Sequence, residues 1–242
     1  MTEEPYRWLD AISNRREYIR EQLKDTTPVF AFSRPEGILL LGVGRGQSKV
    51  FEIYDRHAYA ALGHPVDIEK IRQSAIEAAH LEGFNRSARD VTLRRLVGFS
   101  LSPVLKTSFE QIFSPPIMVE AIFAELGDTQ AEDILVRVHY DGNHSYDATR
   151  IVVAHSEFKA EEEAANWLRQ NIKPGDSLDR VAAVGLTAWQ ALTDGKSFTE
   201  LLPLEKVPAQ SNGRMIEAAL LDRQIKGAVH YRTLTLSPAA KP

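Results

Sequence analysis

Apolar positions change their period several times along the chain. Trp8, Ile12, Ile19 and Leu23 recur at helical steps, while Arg15, Arg16, Glu17, Arg20 and Glu21 cover the other face. That spacing predicts an amphipathic helix over 8–24. The period then shortens. Pro28–Ser33, Gly37–Gly44, Val50–Asp55 and Ala58–Gly63 are apolar runs, the first three separated by Arg34-Pro35-Glu36-Gly37 and Arg45-Gly46-Gln47-Ser48. Short runs broken by glycine and proline predict consecutive hairpins. Ile38-Leu39-Leu40-Leu41 is apolar on both sides, which predicts a strand covered on both faces.

Helical spacing returns over Val66–Asn85, with Ile68, Ile71, Ala75 and Ala79 on one stripe. Asp90 is placed to cap a second helix that turns Leu93, Leu96, Val97, Leu101, Val104 and Leu105 inward. Pro103 inside it predicts a kink or a break. Strands are predicted at Ile117–Leu126, Leu135–Tyr140 and Thr149–Ala154, with Asp141-Gly142 as a hairpin turn. Helices follow at Ala160–Ile172 and Leu178–Thr193, then a loop over Gly195–Asn212, then strands at Met215–Asp222 and Val229–Leu236. Helix pairs alternate with blocks of hairpins. Two antiparallel sheets between two helical layers would bury every apolar face, so the class is α+β.

Composition adds exclusions. The chain has 242 residues, is 43% hydrophobic and 26% charged, and carries a formal net charge of −4. These values suit one globular core and exclude wholesale disorder. No apolar run approaches the roughly 20 residues of a membrane span, and Met1–Asp10 is too acidic and polar for a secretory leader. The absence of cysteine removes disulfides, thiol catalysis and thiolate-bound zinc. It points to a reducing, cytoplasmic setting. A sequence pI near 6.0 argues against nucleic acid as a partner.

Candidate chemistry is sparse. His57, His64, His80, His139, His144, His155 and His230 show no metal spacing, so neither metal nor cofactor is expected. Val43-Gly44-Arg45-Gly46-Gln47-Ser48 lacks the lysine of a phosphate loop and precedes a strand, so it reads as a hairpin turn. Asn85-Arg86-Ser87 and Asn143-His144-Ser145 match the glycosylation sequon but carry no weight in a cytosolic chain. Thr26 and Thr27 stand just before the first strand, where a freed threonine could act as nucleophile with its own amine as base. That chemistry needs a cation at the end of the next strand. That strand ends Leu41-Gly42-Val43-Gly44, and proline follows Thr27. The two threonines are therefore expected only to start a strand. Lys49, by itself, reads as a solvated surface lysine.

The stretch Lys49-Val50-Phe51-Glu52-Ile53-Tyr54-Asp55-Arg56, followed by Ala58-Tyr59-Ala60-Ala61-Leu62-Gly63, resembles the α subunit of the 20S proteasome in its actinobacterial form. Arg89-Asp90-Val91-Thr92 and Leu135-Val136-Arg137-Val138-His139-Tyr140-Asp141-Gly142 are similar to two further motifs of that family, in the same order. The resemblance spans about residues 8–236 and is most specific over 45–155. It implies the four-layer αββα sandwich of N-terminal nucleophile hydrolases over 26–236 and a C-terminal tail over 237–242. It implies a noncatalytic subunit of a threonine-type endopeptidase, in rings of seven α subunits stacked on proteasome β subunits and fed with unfolded protein. Under it, residues 1–7 form a gate tail, with Thr2, Glu3, Glu4, Pro5 and Tyr6 as the gate. The helix carrying Trp8, Ile12, Ile19 and Leu23 packs on neighbours at the ring face. Lys49 takes on the role of holding the C-terminal carboxylate of an ATPase activator, as a fixed ammonium can. Two alternatives stay open. One is a β-type threonine peptidase using Thr26 or Thr27 after loss of residues 1–25 or 1–26. The other is a proteasome-like homologue forming its own ring.

Overall fold

The computed structural model describes residues 4–208 and 213–237. Chain order begins with α1 (Glu4–Leu23), β1 (Val29–Arg34), β2 (Gly37–Gly44), β3 (Val50–Tyr54), β4 (His57–Gly63) and α2 (Pro65–Asn85). Next come α3 (Leu93–Arg95), a π-helical segment Leu96–Leu101 and α4 (Ser102–Glu110), which form one continuous rod. β5 (Val119–Glu125), β6 (Ile134–Val138), β7 (His144–Asp147), β8 (Ile151–Ala154), α5 (Phe158–Asn171), α6 (Leu178–Asp194), β9 (Met215–Asp222) and β10 (Tyr231–Thr233) complete it. Among the described residues no helix is long and apolar enough to cross a membrane.

The strands form two antiparallel sheets, ordered β10-β9-β2-β1-β8 and β3-β4-β5-β6-β7. Alternation within each strand sorts side chains to opposite faces. In the first sheet Phe30, Phe32, Leu39, Leu41 and Val43 face α5 and α6, where they meet Leu168, Val181 and Val184. Val29, Ala31, Ile38 and Leu40 face the other way and meet Ala58, Ala60, Leu62, Ile122 and Ala124 of the second sheet. The outer face of that sheet, with Tyr59, Ala61, Phe123 and Val136, packs on Ile71, Ala75 and Ala79 of α2 and on Val97, Leu101 and Leu105. β2 is buried along its whole length, as its two-sided apolar run predicts, and so is β1.

Five expectations change. Pro103 does not break its helix. The π-helical turn ahead of it shifts the carbonyl with which the pyrrolidine ring would clash, and Ser102 stays helical at φ −57° and ψ −44°. Asp90 is not a helix cap. It closes a 3-10 turn, Ala88–Asp90, and accepts from Ser87 Oγ at 2.8 Å, because burying Val91 keeps the next residues extended. Asp141-Gly142 does turn a hairpin, but its return strand is β7, a polar edge strand with no apolar signal, and residues 151–154 cross to the other sheet beside β1. Gly142 is required there: its φ is +82°, and a Cβ would stand 2.5 Å from the Ser102 carbonyl oxygen. The last strand shortens to Tyr231–Thr233.

The fifth change concerns α1, which spans Glu4–Leu23 rather than beginning at residue 8. Pro5, second in the helix, is tolerated in a first turn because its missing N–H has no intrahelical acceptor there. The last two turns of α1 belong to the chain's own core. Ile19 and Leu23 are buried in the cluster between the sheets, and Ile12 packs on its edge. Arg15, expected on the opposite face, is instead buried and donates to the carbonyls of Ser108 (2.8 Å), Ile112 (3.3 Å) and Ser114 (2.8 Å), at and beyond the C-terminal end of α4. Trp8 and Leu9 stay 50% and 62% exposed. Truncating a fully buried isoleucine leaves a cavity, so Ile19→Ala should cost about 2–4 kcal/mol of unfolding free energy. Trp8→Ala should change it by less than about 0.5 kcal/mol. Urea unfolding of the isolated chain measures both.

Candidate functional site

The N-terminal end of β1 gathers what chemistry the chain has. Val29 pairs with Gly42 on β2 and with Ala154 on β8, which fixes the link from α1 into the sheet. The exposed turn 45–48 then leads from β2 to Lys49, just ahead of β3. The lysine stem lies flat over Gly42, where an added Cβ would come within 3.2 Å of Lys49 Cβ. Its ammonium turns inward and donates to the Thr27 carbonyl at 2.8 Å. Its backbone N–H donates to Glu217 Oε2 at 2.8 Å, and the Val50 N–H to the same oxygen at 3.4 Å. Glu217 comes from β9, so three elements remote in sequence hold this lysine.

Burial pushes the Lys49 ammonium down from 10.5 to about 8; Glu217 opposes the shift and Arg214 adds to it. Burial raises the Glu217 carboxyl above its ordinary range, against the two backbone amides and the lysine. The pair is thus a weakly held ammonium beside a carboxylate already engaged by amides. A cleft of about 280 Å³ opens beside Lys49, with Phe51, Pro65 and Ile68 as apolar wall and Arg45, Gln47 and Glu69 at its polar side. Arg72 lies over the Phe51 ring at 5.5 Å and is gripped by Glu69 at 2.7 and 2.8 Å. An ammonium at the edge of such a cleft can hold a small anion, and a carboxylate on a flexible chain fits that chemistry.

The structure places the Lys49 ammonium on the Thr27 backbone carbonyl, not on either threonine hydroxyl. The cation judged missing from the end of β2 arrives instead from the start of β3. A lysine 22 residues away reaches Thr27 only once β2 and the turn are folded. The threonine hydroxyls have other partners: Thr26 Oγ1 donates to the Leu23 carbonyl at 2.5 Å, and Thr27 Oγ1 to the Val43 carbonyl at 2.6 Å. Lys49 is also not the solvated residue it seems in isolation. Of the gate residues, Thr2 and Glu3 lie outside the described residues, and Glu4, Pro5 and Tyr6 are the first turn of α1. The tail expected over 237–242 lies outside them from 238 onward.

Two groups escaped sequence reasoning. Glu217 is one. The other is a buried network around Arg137, which pairs with Glu120 at 2.6 Å and Glu161 at 2.9 Å, while His139 meets Glu120 at 2.9 Å. It lies beside a cleft of about 880 Å³ between α1 and the start of α5, which Glu120, His139 and Glu161 help line. A signal existed for Glu217, Glu120, Arg137 and Glu161: each is a charged residue inside an otherwise apolar strand or at a helix start facing one.

No protein-family model matches the chain. Curated relatives do. The chain is 31% identical over 217 residues to the proteasome subunit alpha of Actinosynnema mirum, covering 88% of this chain and 76% of that protein. It is 31% identical over 214 residues to the proteasome subunit alpha of a Nocardioides species, covering 88% and 77%. It is 28% identical over 233 residues to that of Pseudarthrobacter chlorophenolicus, covering 90% and 88%.

The depressed Lys49 ammonium sets a pH dependence. Between about pH 8 and 10.5 the folded chain binds fewer protons than the unfolded chain, so Lys49 makes stability rise with pH across that window. Lys49→Met should remove that rise. Glu217→Gln, which deletes the opposing charge, should move the lysine midpoint below that of the wild type. NMR titration of the lysine side chain, with unfolding curves at several pH values, reads both.

Proposed function

The chain belongs to the proteasome α-subunit family, and from that premise we propose that it is a noncatalytic subunit of the outer ring, which gates substrate entry and docks an activator. In this reading it has the four-layer αββα architecture of the N-terminal nucleophile hydrolases and works in the cytoplasm. It stands in a ring of seven, with a ring of β subunits on one side and an ATPase activator on the other. Unfolded protein is the substrate of the whole particle. The ring neighbours bury what α1 leaves open, Trp8 and Leu9 with the partly buried Ile12. The gate lies in the first turn of α1 and in what precedes it.

The observation that carries this reading is the seat of α1. A nucleophile at the head of β1 needs a free amine and an open approach. Here Ile19 and Leu23 fill the end of the inter-sheet core directly ahead of the two threonines, and both hydroxyls are spent on backbone carbonyls. One contact favours a second reading, a β-type threonine peptidase activated by loss of residues 1–25 or 1–26: the Lys49 ammonium already touches the Thr27 carbonyl. The intact mass of the purified protein separates the two after exposure to a threonine-directed covalent inhibitor. The α reading expects an uncut 27.1 kDa chain with no adduct. An adduct on Thr26 or Thr27 would replace it with the peptidase reading.

Lys49 supplies the docking test. Capture of a terminal carboxylate requires the ammonium to leave the Thr27 carbonyl or share itself with it. Losing such a charged contact costs about 2–3 kcal/mol, so Lys49→Ala should weaken binding of an activator C-terminal peptide by tens of fold while leaving the fold intact. Lys49→Arg should recover only part, because a planar fork does not reproduce a compact ammonium. Affinity for the wild type should fall as pH rises through about 8, where Lys49 loses its charge. Fluorescence anisotropy with a labelled tail peptide measures all three. Equal affinity for wild type and Lys49→Ala would show that the lysine plays no part in docking.

A further inference from the structure

A second cleft, of about 290 Å³, opens at the other end of β1. Arg34, Arg150 and Arg169 line it together with Ser33, Gln130 and Thr149, and no carboxylate is among the described residues that line it. The guanidiniums of Arg34 and Arg169 are held in place by the fold. Arg34, the last residue of β1, is only 6% exposed. Its Nη2 donates to the carbonyls of Lys173 (3.1 Å), Pro174 (2.8 Å) and Asp176 (2.9 Å), in the link between α5 and α6. Arg169, in the last turn of α5, donates from Nη1 to Asn166 Oδ1 at 2.8 Å, and the Asp147 carboxylate stands 3.8 Å from its Nη2. The Nε atoms of both Arg34 and Arg169 are buried and have no hydrogen-bond partner.

Arg150 closes the rim. Among the described residues it is the one non-glycine with positive φ, +66°. Its carbonyl accepts the Ser33 N–H at 2.9 Å, which ties this left-handed turn to β1. The other nearby carboxylate, Asp133, is engaged by Ser33 Oγ at 2.7 Å and Arg223 at 2.9 Å. Three positive charges therefore face one cavity with little to neutralise them, and two buried N–H donors lack acceptors. The first condition is costly in a folded protein and is relieved by one bound anion; the second shows that the fold itself leaves these guanidiniums short of acceptors.

From this we propose that the Arg34–Arg150–Arg169 cleft binds a phosphate-type oxyanion, either inorganic phosphate or the phosphoryl group of a small organic phosphate. A tetrahedral dianion offers several acceptor oxygens, enough for each guanidinium to meet one, whereas a carboxylate brings a single charge and two. The proposal does not depend on the ring or on Lys49. A site of this kind makes the outer end of the first sheet responsive to a phosphorylated ligand.

The test is calorimetric titration of the purified full chain with inorganic phosphate and, separately, with a simple phosphomonoester, at constant ionic strength. Saturable binding is expected. Arg150→Asn keeps a residue that tolerates the left-handed backbone, and Arg169→Gln keeps much of the stem. Each should weaken binding about tenfold or more, the effect of losing one charge-assisted contact. Arg89→Gln, on the exposed 3-10 turn away from the cleft, should bind as the wild type does. Tighter binding of the monoester identifies an organic phosphate as the ligand; tighter binding of phosphate identifies the free ion. A second readout needs no variant: phosphate should protect Arg150 and Arg169 from a dicarbonyl reagent, as mapped by mass spectrometry. Absence of saturable binding, unaltered affinity in both cleft variants, or no protection of either arginine would overturn the proposal.

Discussion

The fold depends on how one helix closes the end of the core between two sheets. Two stacked antiparallel sheets leave their shared apolar layer open at the strand ends, and something must cover it. Here α1 does so, with Ile19 and Leu23 set between the sheets and Arg15 reaching the carbonyls at the end of α4. Those carbonyls lack intrahelical donors, so the guanidinium satisfies them while it anchors α1. The same seat leaves the threonines before β1 inside a continuous chain, with their hydroxyls turned to backbone acceptors.

Charge buried at the edges of this core is where the chain departs from simple packing. Lys49 sits partly buried with a carbonyl as its direct partner, and its ammonium is correspondingly easy to discharge. Arg137 is the opposite case: fully buried, but embraced by Glu120 and Glu161, so its charge is held. Arg34 lies between them, its Nη2 supplied with three carbonyls and its Nε left without an acceptor. The contrast separates structural from receptive cations. A guanidinium matched by carboxylates maintains the fold. An ammonium or guanidinium held mainly by neutral carbonyls has no opposite charge matched to it.

Much of the fold was legible in the order of residues because burial imposes periodicity. The two-sided run at Ile38–Leu41 gave a doubly covered strand, and the stripe of α2 gave its buried face. The motifs from Lys49 to Gly63 and from Leu135 to Gly142 gave the family. What failed were elements whose sequence carries no such imprint. β7, His144–Asp147, is an exposed polar edge held by pairing alone. The π turn before Pro103 is a local answer to a steric conflict whose outcome depends on the packing around it.

The candidate sites divide in the same way. Sequence alone determined that Lys49 opens the best-matching motif, that threonines precede the first strand and that an amphipathic helix precedes them. Only the tertiary structure decided that the lysine turns inward onto Thr27, that Glu217 from β9 fastens its backbone, and that Arg34, Arg150 and Arg169 share one cleft. The physical reason is range. Periodicity and turn chemistry act over a few residues, where each side chain senses its own segment's burial. The charge state of a lysine, or the partners of a guanidinium, depend on groups that come together through sheet pairing across more than a hundred positions.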